Sequence, residues 1–285
     1  MKNTLLKNEL TDQYETRMTP MGKVHYKTCG SGAPVILIHG LAASLHDWDA
    51  LLPALAANGY AGYALDLLGH GESAKPDSRA YHIDWLFDHL AAWIESLALD
   101  QPPTIVGHSL GGYLALDYAR RFPQKLRALI LVDPFYQLEQ LPAILRFSYR
   151  TPALNTTLME RIPQWAFRLI IDVTSLSLGH TGGSLHSLPE PVRAQTALDY
   201  KRTAPGVYNL PHTLRDLTPC LPSLNLPSLV IWGSRDPTLD PASFQRLIRT
   251  LPEARGLDLP CGHVPHQSKA EDFNQAVIEF LSEIF

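Results

Sequence analysis

The string Gly107-His108-Ser109-Leu110-Gly111 is where this sequence offers chemistry most openly. A serine hydroxyl is a weak nucleophile unless a base takes its proton and a carboxylate orients that base. Ser109 is the candidate nucleophile, and its base must come from among twelve histidines. His263, in the run CGHVPH, sits just past the last strand-like segment, and Asp236, in WGSRDP, follows the strand-like segment before it. The expected constellation is therefore Ser109 as nucleophile, His263 as base and Asp236 as orienting acid. Asp133, at the end of an earlier strand-like run, is the alternative acid, although Asp133-Pro134 equally suits a turn that launches the next segment. His266, three residues past His263, is read as packing or a loop hydrogen bond, because no acidic or cysteine ligands accompany the pair.

Acyl transfer through such a serine also needs two aligned donors for the oxyanion of the tetrahedral intermediate. One expected donor is the backbone N–H of Leu110, directly after the nucleophile. The second is the N–H of Leu41, in the His39-Gly40-Leu41 loop. Both are main-chain groups, which leaves the Leu41 side chain free to face a substrate and gives His39 the part of a loop brace.

These residues serve only if particular elements carry them. A G-x-S-x-G string is informative when a strand turns sharply into a helix at the serine, exposing the hydroxyl above the sheet edge. Here PTIV leads in and LGGYLALDYARRF follows. Continuous apolar runs at 34–40, 61–67, 103–109, 126–134 and 228–236, with a weaker one at 254–260, read as strands buried on both faces of a parallel sheet. Residues 14–19 and 23–28 are short extended candidates joined by a Pro-Met-Gly turn. Helical patterns fall between the strands, at 47–57, 82–99, 111–121 and 270–283, the first ending at the C-cap signal Asn58-Gly59. Strands alternating with helices give an α/β class with a doubly wound, mostly parallel sheet.

The stretch from 134 to 227 interrupts the alternation. It shows no convincing strand and reads as helices broken by prolines, at 141–150, 155–172 and 190–202. Leu145, Phe147, Met159, Trp165, Phe167, Leu169 and Ile170 make it markedly apolar. Two readings stand: a helical subdomain burying its own small core, or a lid whose apolar face also lines a substrate pocket.

Composition narrows the function classes. Hydrophobic residues at 45% exclude global disorder, and a net charge of −4 with no basic tract makes nucleic acid and anionic membrane poor partners. Cys29, Cys220 and Cys261 are odd in number and widely spaced, so free thiols in a reducing compartment are expected. The opening MKNTLLKNELTDQYE lacks the apolar run of a signal peptide, and no run of about 18 apolar residues suits a transmembrane helix. A cytoplasmic location without stable membrane insertion is expected, and the oligomeric state is left open.

Taken together, His39-Gly40, LDLLGHGES (65–73), GHSLGG (107–112), WGSRDP (232–237) and GHVPH (262–266) resemble the α/β-hydrolase fold superfamily from about residue 20 onward. The resemblance implies a core of about eight strands, with residues 1–133 and 228–285 as the core and 134–227 as a helical cap inserted after the sixth strand. It also implies the chain order Ser109, Asp236, His263. Haloalkane dehalogenases and epoxide hydrolases of this fold use an aspartate nucleophile, which Ser109 excludes; hydroxynitrile lyases find no specific sign here. The stretch 63–76 resembles chlorophyll-dephytylase-like hydrolases, implying a long apolar alcohol. Meta-cleavage-product hydrolases typically carry a Ser-Gly-rich segment after the His-Gly, where this chain has LAASLHDW.

The expected activity is hydrolysis of a small, apolar carboxylic ester through an acyl-enzyme, without metal or cofactor. Alternatives are a carbon–carbon hydrolase of meta-cleavage type and a ligand-binding receptor or accessory protein with little turnover.

Overall fold

Val35–Ile38, Ile105–Val106 and Ala128–Val132 carry no side chain that wants water, and they become the buried centre of an eight-stranded sheet. The computed structural model describes residues 13–77, 80–143, 146, 160–175 and 186–285. The strands are β1 (Gln13–Thr19), β2 (Gly22–Cys29), β3 (Ala33–Ile38), β4 (Tyr60–Leu65), β5 (Thr104–His108), β6 (Ala128–Val132), β7 (Ser228–Gly233) and β8 (Ala254–Leu259). They lie in the order β1-β2-β4-β3-β5-β6-β7-β8. The β1–β2 and β2–β4 pairs are antiparallel and all others parallel. This is the expected α/β architecture, with a helical segment between β6 and β7.

The helices among the described residues are α1 (Leu51–Ala57), α2 (Ile83–Ser96), α3 (Leu110–Arg121), α4 (Gln164–Thr174), α5 (Glu190–Arg202), α6 (Pro241–Thr250), the single turn α7 (Pro265–Ser268) and α8 (Ala270–Ile284). One face of the sheet packs on α2, α3 and α6, the other on α1 and α8. On α2 the spacing Ile83, Leu86, Phe87, Leu90, Trp93, Ile94 forms the buried stripe. The helix expected over 47–57 is instead a 3-10 turn, Leu45–Trp48, followed by α1. Pro53 has no N–H to give a carbonyl four residues back, so a continuous helix from 47 is unavailable. Among the described residues no helix is long and apolar enough to cross a membrane. None of the three cysteines is in a disulfide.

Between β6 and β7 the described residues pack in two ways. Phe167 and Ile171 of α4 bury against Ala197 of α5 in a small separate cluster. Thr196 and Tyr200 of α5, with Tyr208 and Leu210 beyond it, line a cavity instead. Trp165, Leu169 and Ile170 do neither: they lie on the outer face of α4, with Trp165 70% exposed. A helix with apolar residues on more than one face commits only one of them inward, and here Phe167 and Ile171, spaced i, i+4, take it. Leu145, Phe147, Met159 and most of the expected 141–150 helix lie outside the described residues.

The stripe on α2 can be tested directly. Trp93 is wholly buried and meets Tyr26 edge-on at 5.4 Å, whereas Trp85 is 39% exposed. Trp93→Ala is expected to cost about 3–5 kcal/mol and Trp85→Ala less than about 1 kcal/mol, read by urea denaturation. Equal losses would contradict the assignment of the inward face.

Candidate active site

The carboxyl ends of the neighbouring parallel strands β3, β5, β6, β7 and β8 lead, in that order, to Leu41, Ser109, Asp133, Asp236 and His263. Every site residue expected from the sequence, and the alternative acid, therefore lies along one sheet edge. That is where open α/β sheets bind ligands.

Ser109 occupies the turn from β5 into α3 with φ 51° and ψ −111°, a left-handed conformation that is rare for a residue with a side chain. Close approach enforces it. A Cβ on Gly111 would sit 2.2 Å from the carbonyl oxygen of Ile38, and one on Gly107 would sit 2.4 Å from that of Gly111. Only glycines at both positions let the start of α3 press onto the end of β3. The Ser109 N–H and carbonyl are held by Val132 and Phe135 at 2.9 and 3.0 Å.

His263 reaches the serine because its loop lies against the end of β7. Arg235 donates to the Cys261 carbonyl at 3.0 Å and Ser234 to that of Leu259 at 2.8 Å. A Cβ on Gly233 would meet the Gly262 carbonyl oxygen at 2.0 Å. In this pose His263 Nε2 is 3.1 Å from Ser109 Oγ and Nδ1 is 2.7 Å from Asp236 Oδ2. The Asp236 carboxylate is acceptor-only, so Nδ1 carries the proton and Nε2 offers its lone pair to the serine hydroxyl. Asp236 is itself fixed by N–H donors from Thr238 and Leu239 on Oδ1, at 2.7 and 3.1 Å. Burial pushes its carboxyl up, but His263 and those donors outweigh burial and hold it below the usual carboxylate range.

Asp133 does not take the histidine. It is wholly buried, accepts from the Gly233 N–H at 2.9 Å on Oδ1, and its Oδ2 has no hydrogen-bond partner. Burial, then the Asp236 charge, drive its pKa well above the ordinary value, so it sits beside Asp236 as a neutral acid. Two adjacent carboxyls thus divide into one ionised and one protonated.

The brace expected of His39 is present: its Nε2 accepts from the Leu67 N–H at 3.0 Å and its Nδ1–H donates to the Gly40 carbonyl at 2.7 Å. Leu41 and Leu110 border the same cavity, and among the described residues no hydrogen bond engages either backbone N–H. His266 is a packed ring, 4.9 Å from Trp48 and 4.5 Å from His108 between centroids.

Sequence reasoning passed over His108 and Asp47. His108 Nε2–H donates to the His263 carbonyl at 2.8 Å, tying the His263 backbone to the residue before Ser109. Burial first, then His266, lower its pKa to about 4, so its ring is neutral. Asp47, held by Gln267 at 2.9 Å, faces His108 Nδ1 and His266 Nε2 at 3.7 and 3.8 Å. These three are metal-type ligands, their facing atoms within 4.8 Å of one another, under the floor of the site. No spacing rule connects residues 47, 108 and 266, and only the fold brings them together.

The cavity holds about 340 Å³ and opens beside Ser109 and His263. Phe135, Leu141, Leu210, Leu214 and Leu239 give it an apolar wall, and among the described residues no lysine or arginine lines it.

Comparison with known proteins agrees with this architecture. Residues 33–270 match the family model described as the alpha/beta hydrolase fold. The chain belongs to the α/β-hydrolase family. Within it, the chain is 27% identical over 281 residues to a 2-hydroxy-6-oxo-6-(2'-aminophenyl)hexa-2,4-dienoic acid hydrolase of Metapseudomonas resinovorans, covering 94% of this chain and 91% of that one. It is 32% identical over 261 residues to a pimeloyl-[acyl-carrier protein] methyl ester esterase of Neisseria meningitidis serogroup B, covering 87% and 92%. A thermophilic esterase of Thermogutta terrifontis superposes with a TM-score of 0.79 at 25% identity, over 95% of this chain and 99% of that one. The protein is an α/β-hydrolase-fold hydrolase.

The neutral state of Asp133 has a measurable consequence. A carboxyl whose folded pKa is raised lends stability below the unfolded pKa and loses it as pH climbs to the folded value. Asparagine at 133 is uncharged like the neutral acid and still accepts from the Gly233 N–H. Asp133→Asn is therefore expected to gain stability over wild type as pH rises from about 4, by at most about 1.4 kcal/mol per pH unit. Urea denaturation at pH 5, 6 and 7 measures this, and a pH-independent difference would mean that Asp133 is ionised in the fold.

Proposed function

We propose that this protein hydrolyses a carboxylic ester with an apolar portion, using Ser109, His263 and Asp236 as a catalytic triad. The observation that carries the reading is the hydrogen-bonded chain from Ser109 Oγ through His263 to Asp236, at a strained strand-to-helix turn bordering an apolar cavity. His263 Nε2 removes the proton as Ser109 Oγ attacks the ester carbonyl. The oxyanion that forms is met by the N–H groups of Leu41 and Leu110, helped by the positive end of α3. Asp236 stabilises the imidazolium. His263 then passes the proton to the leaving alcohol as the C–O bond breaks, leaving the acyl group on Ser109. Water, deprotonated by the same imidazole, releases the acid and restores the serine.

Similarity to the dienoic acid hydrolase keeps carbon–carbon hydrolysis as a second reading. The cavity favours the ester. A dienoic acid brings a carboxylate, which seeks a cationic partner when buried; among the described lining residues there is none, and Asp47 is negative. The esterase relatives and the apolar wall favour a neutral acyl or alcohol group.

Fluorophosphonate labelling followed by peptide mass spectrometry is expected to mark Ser109 in wild type and not in His263→Ala. Asp236→Asn should lower kcat by about 10⁴-fold by disturbing the histidine tautomer, while Asp133→Asn keeps most of the activity. The reverse ranking would make Asp133 the acid. A panel of p-nitrophenyl esters of rising chain length, run beside a ring-fission dienoate, separates the two bond types. A dienoate kcat/KM far above that of every ester would replace the ester reading with the carbon–carbon one.

A further inference from the structure

The loop bearing Leu41 is not held by the sheet alone. Its Ala42 is left-handed at φ 63° without being glycine, a conformation that persists only where the surroundings over-determine it. From the core side, Asp66 Oδ1 accepts from the Leu45 N–H at 2.9 Å. From the helical side, Ser44 Oγ donates to Asp199 Oδ2 at 2.8 Å, a bond between residues 155 apart in sequence. Ser44 also accepts from the His46 N–H at 3.2 Å, so its one hydroxyl both starts the 3-10 turn and fastens the loop to α5. Ser44 is 1% exposed and Asp199 4%, so water does not compete for this bond. Gln195 holds the other carboxylate oxygen at 2.9 Å. Burial lifts the Asp199 pKa to about 6, which leaves it mainly ionised near neutral pH and the bond charge-assisted. The Thr203 hydroxyl, bonded to the Asp199 carbonyl at 2.9 Å, adds a longer contact of 3.3 Å to the Ala42 carbonyl.

We propose that Asp199 is a positioning residue for the oxyanion donor at Leu41, acting through Ser44, so that docking of α5 on the core completes the reaction centre. This rests on the ester-hydrolase reading above. The same helix turns Thr196 and Tyr200 into the substrate cavity, one turn or less from Asp199. The element that touches substrate is thus the one that fixes a donor. Oxyanion donors must stand about 2.7–3.1 Å from where the oxyanion forms, and losing one costs about 10²–10³-fold in kcat; loosening one costs part of that.

The test uses the full chain with Ser44→Ala, Asp199→Ala, the double variant and Asp199→Asn, whose amide oxygen still accepts from Ser44. With p-nitrophenyl butyrate, each alanine variant is expected to lose roughly tenfold in kcat, with KM within about twofold. The double variant should lose no more than either single one, because both cut the same bond. Affinity for a trifluoromethyl ketone, which forms an oxyanion on the serine, should fall in step with kcat, while affinity for the matching alcohol stays unchanged. Asp199→Asn should recover most of the loss. Unchanged kcat, additive losses, or ketone affinity that does not follow kcat would each overturn the proposal. If Asp199→Ala fails to fold, Ser44→Ala against Asp199→Asn makes the same comparison. Wild-type protein that neither hydrolysed any ester nor took fluorophosphonate would overturn the underlying reading; active wild type with unaffected variants would overturn the positioning role alone.

Discussion

The start of α3 rests on the end of β3 with no side chain between them, and the rest of the site depends on that contact. Gly111 lies so close to the Ile38 carbonyl that one added carbon would overlap it. This contact lifts Ser109 out of the sheet plane in a left-handed turn, faces the first N–H groups of α3 toward it, and brings the His39–Leu41 loop alongside. The strain at Ser109 is offset by the surrounding sheet, whose central strands are buried on both faces and cannot shift without losing well-packed apolar contact. A rigid, tightly packed sheet is thus the condition for the strained turn at its edge.

Electrostatics follow from the same burial. Three carboxyls, Asp47, Asp133 and Asp236, lie within the low-dielectric floor, and each resolves its charge differently. Asp236 faces a histidine and backbone donors, so it stays ionised. Asp133, with one donor and a negative neighbour, stays neutral. Asp47 accepts from the Gln267 amide at 2.9 Å and faces the His266 imidazole, which helps to hold its carboxyl below the usual range. The rule is pairing: a buried charge survives only where donors converge on it.

Much of this was legible in the sequence. The strand runs of the parallel sheet, the turn at Ser109, and the choice of Asp236 and His263 followed from apolar runs and from which loops must emerge at one sheet edge. Residue order along β3, β5, β6, β7 and β8 explains why the structure brings these residues together: once the strands are known, their carboxyl-end loops are neighbours by necessity. What escaped reading was the cross-chain polar chemistry. His108 bonding the His263 carbonyl, Asp133 accepting from the Gly233 N–H, and Ser44 reaching Asp199 join segments whose sequence separation carries no periodic signal. The outward turn of Trp165 and Leu169 escaped for a related reason, since a helix with apolar residues on more than one face does not reveal which of them finds a partner. The break between the 3-10 turn and α1 has its sequence signal in Pro53, which the apolar spacing over 47–57 overrides.

Ser109 and His263 lie 154 positions apart, with the whole helical segment between them. At a synthesis rate of about 5–20 residues per second, the histidine leaves the ribosome roughly 10–30 s after the serine. Early in that interval the strands on either side of β5 are complete, while β7, β8 and the loop that lies against Gly233 are still to be made. On the triad proposed above, a nascent chain therefore carries the serine without its base, and hydrolytic power would arrive with the last strands, when β6 gains its second neighbour. For this topology, the appearance of activity would then be a clock for the final step of folding.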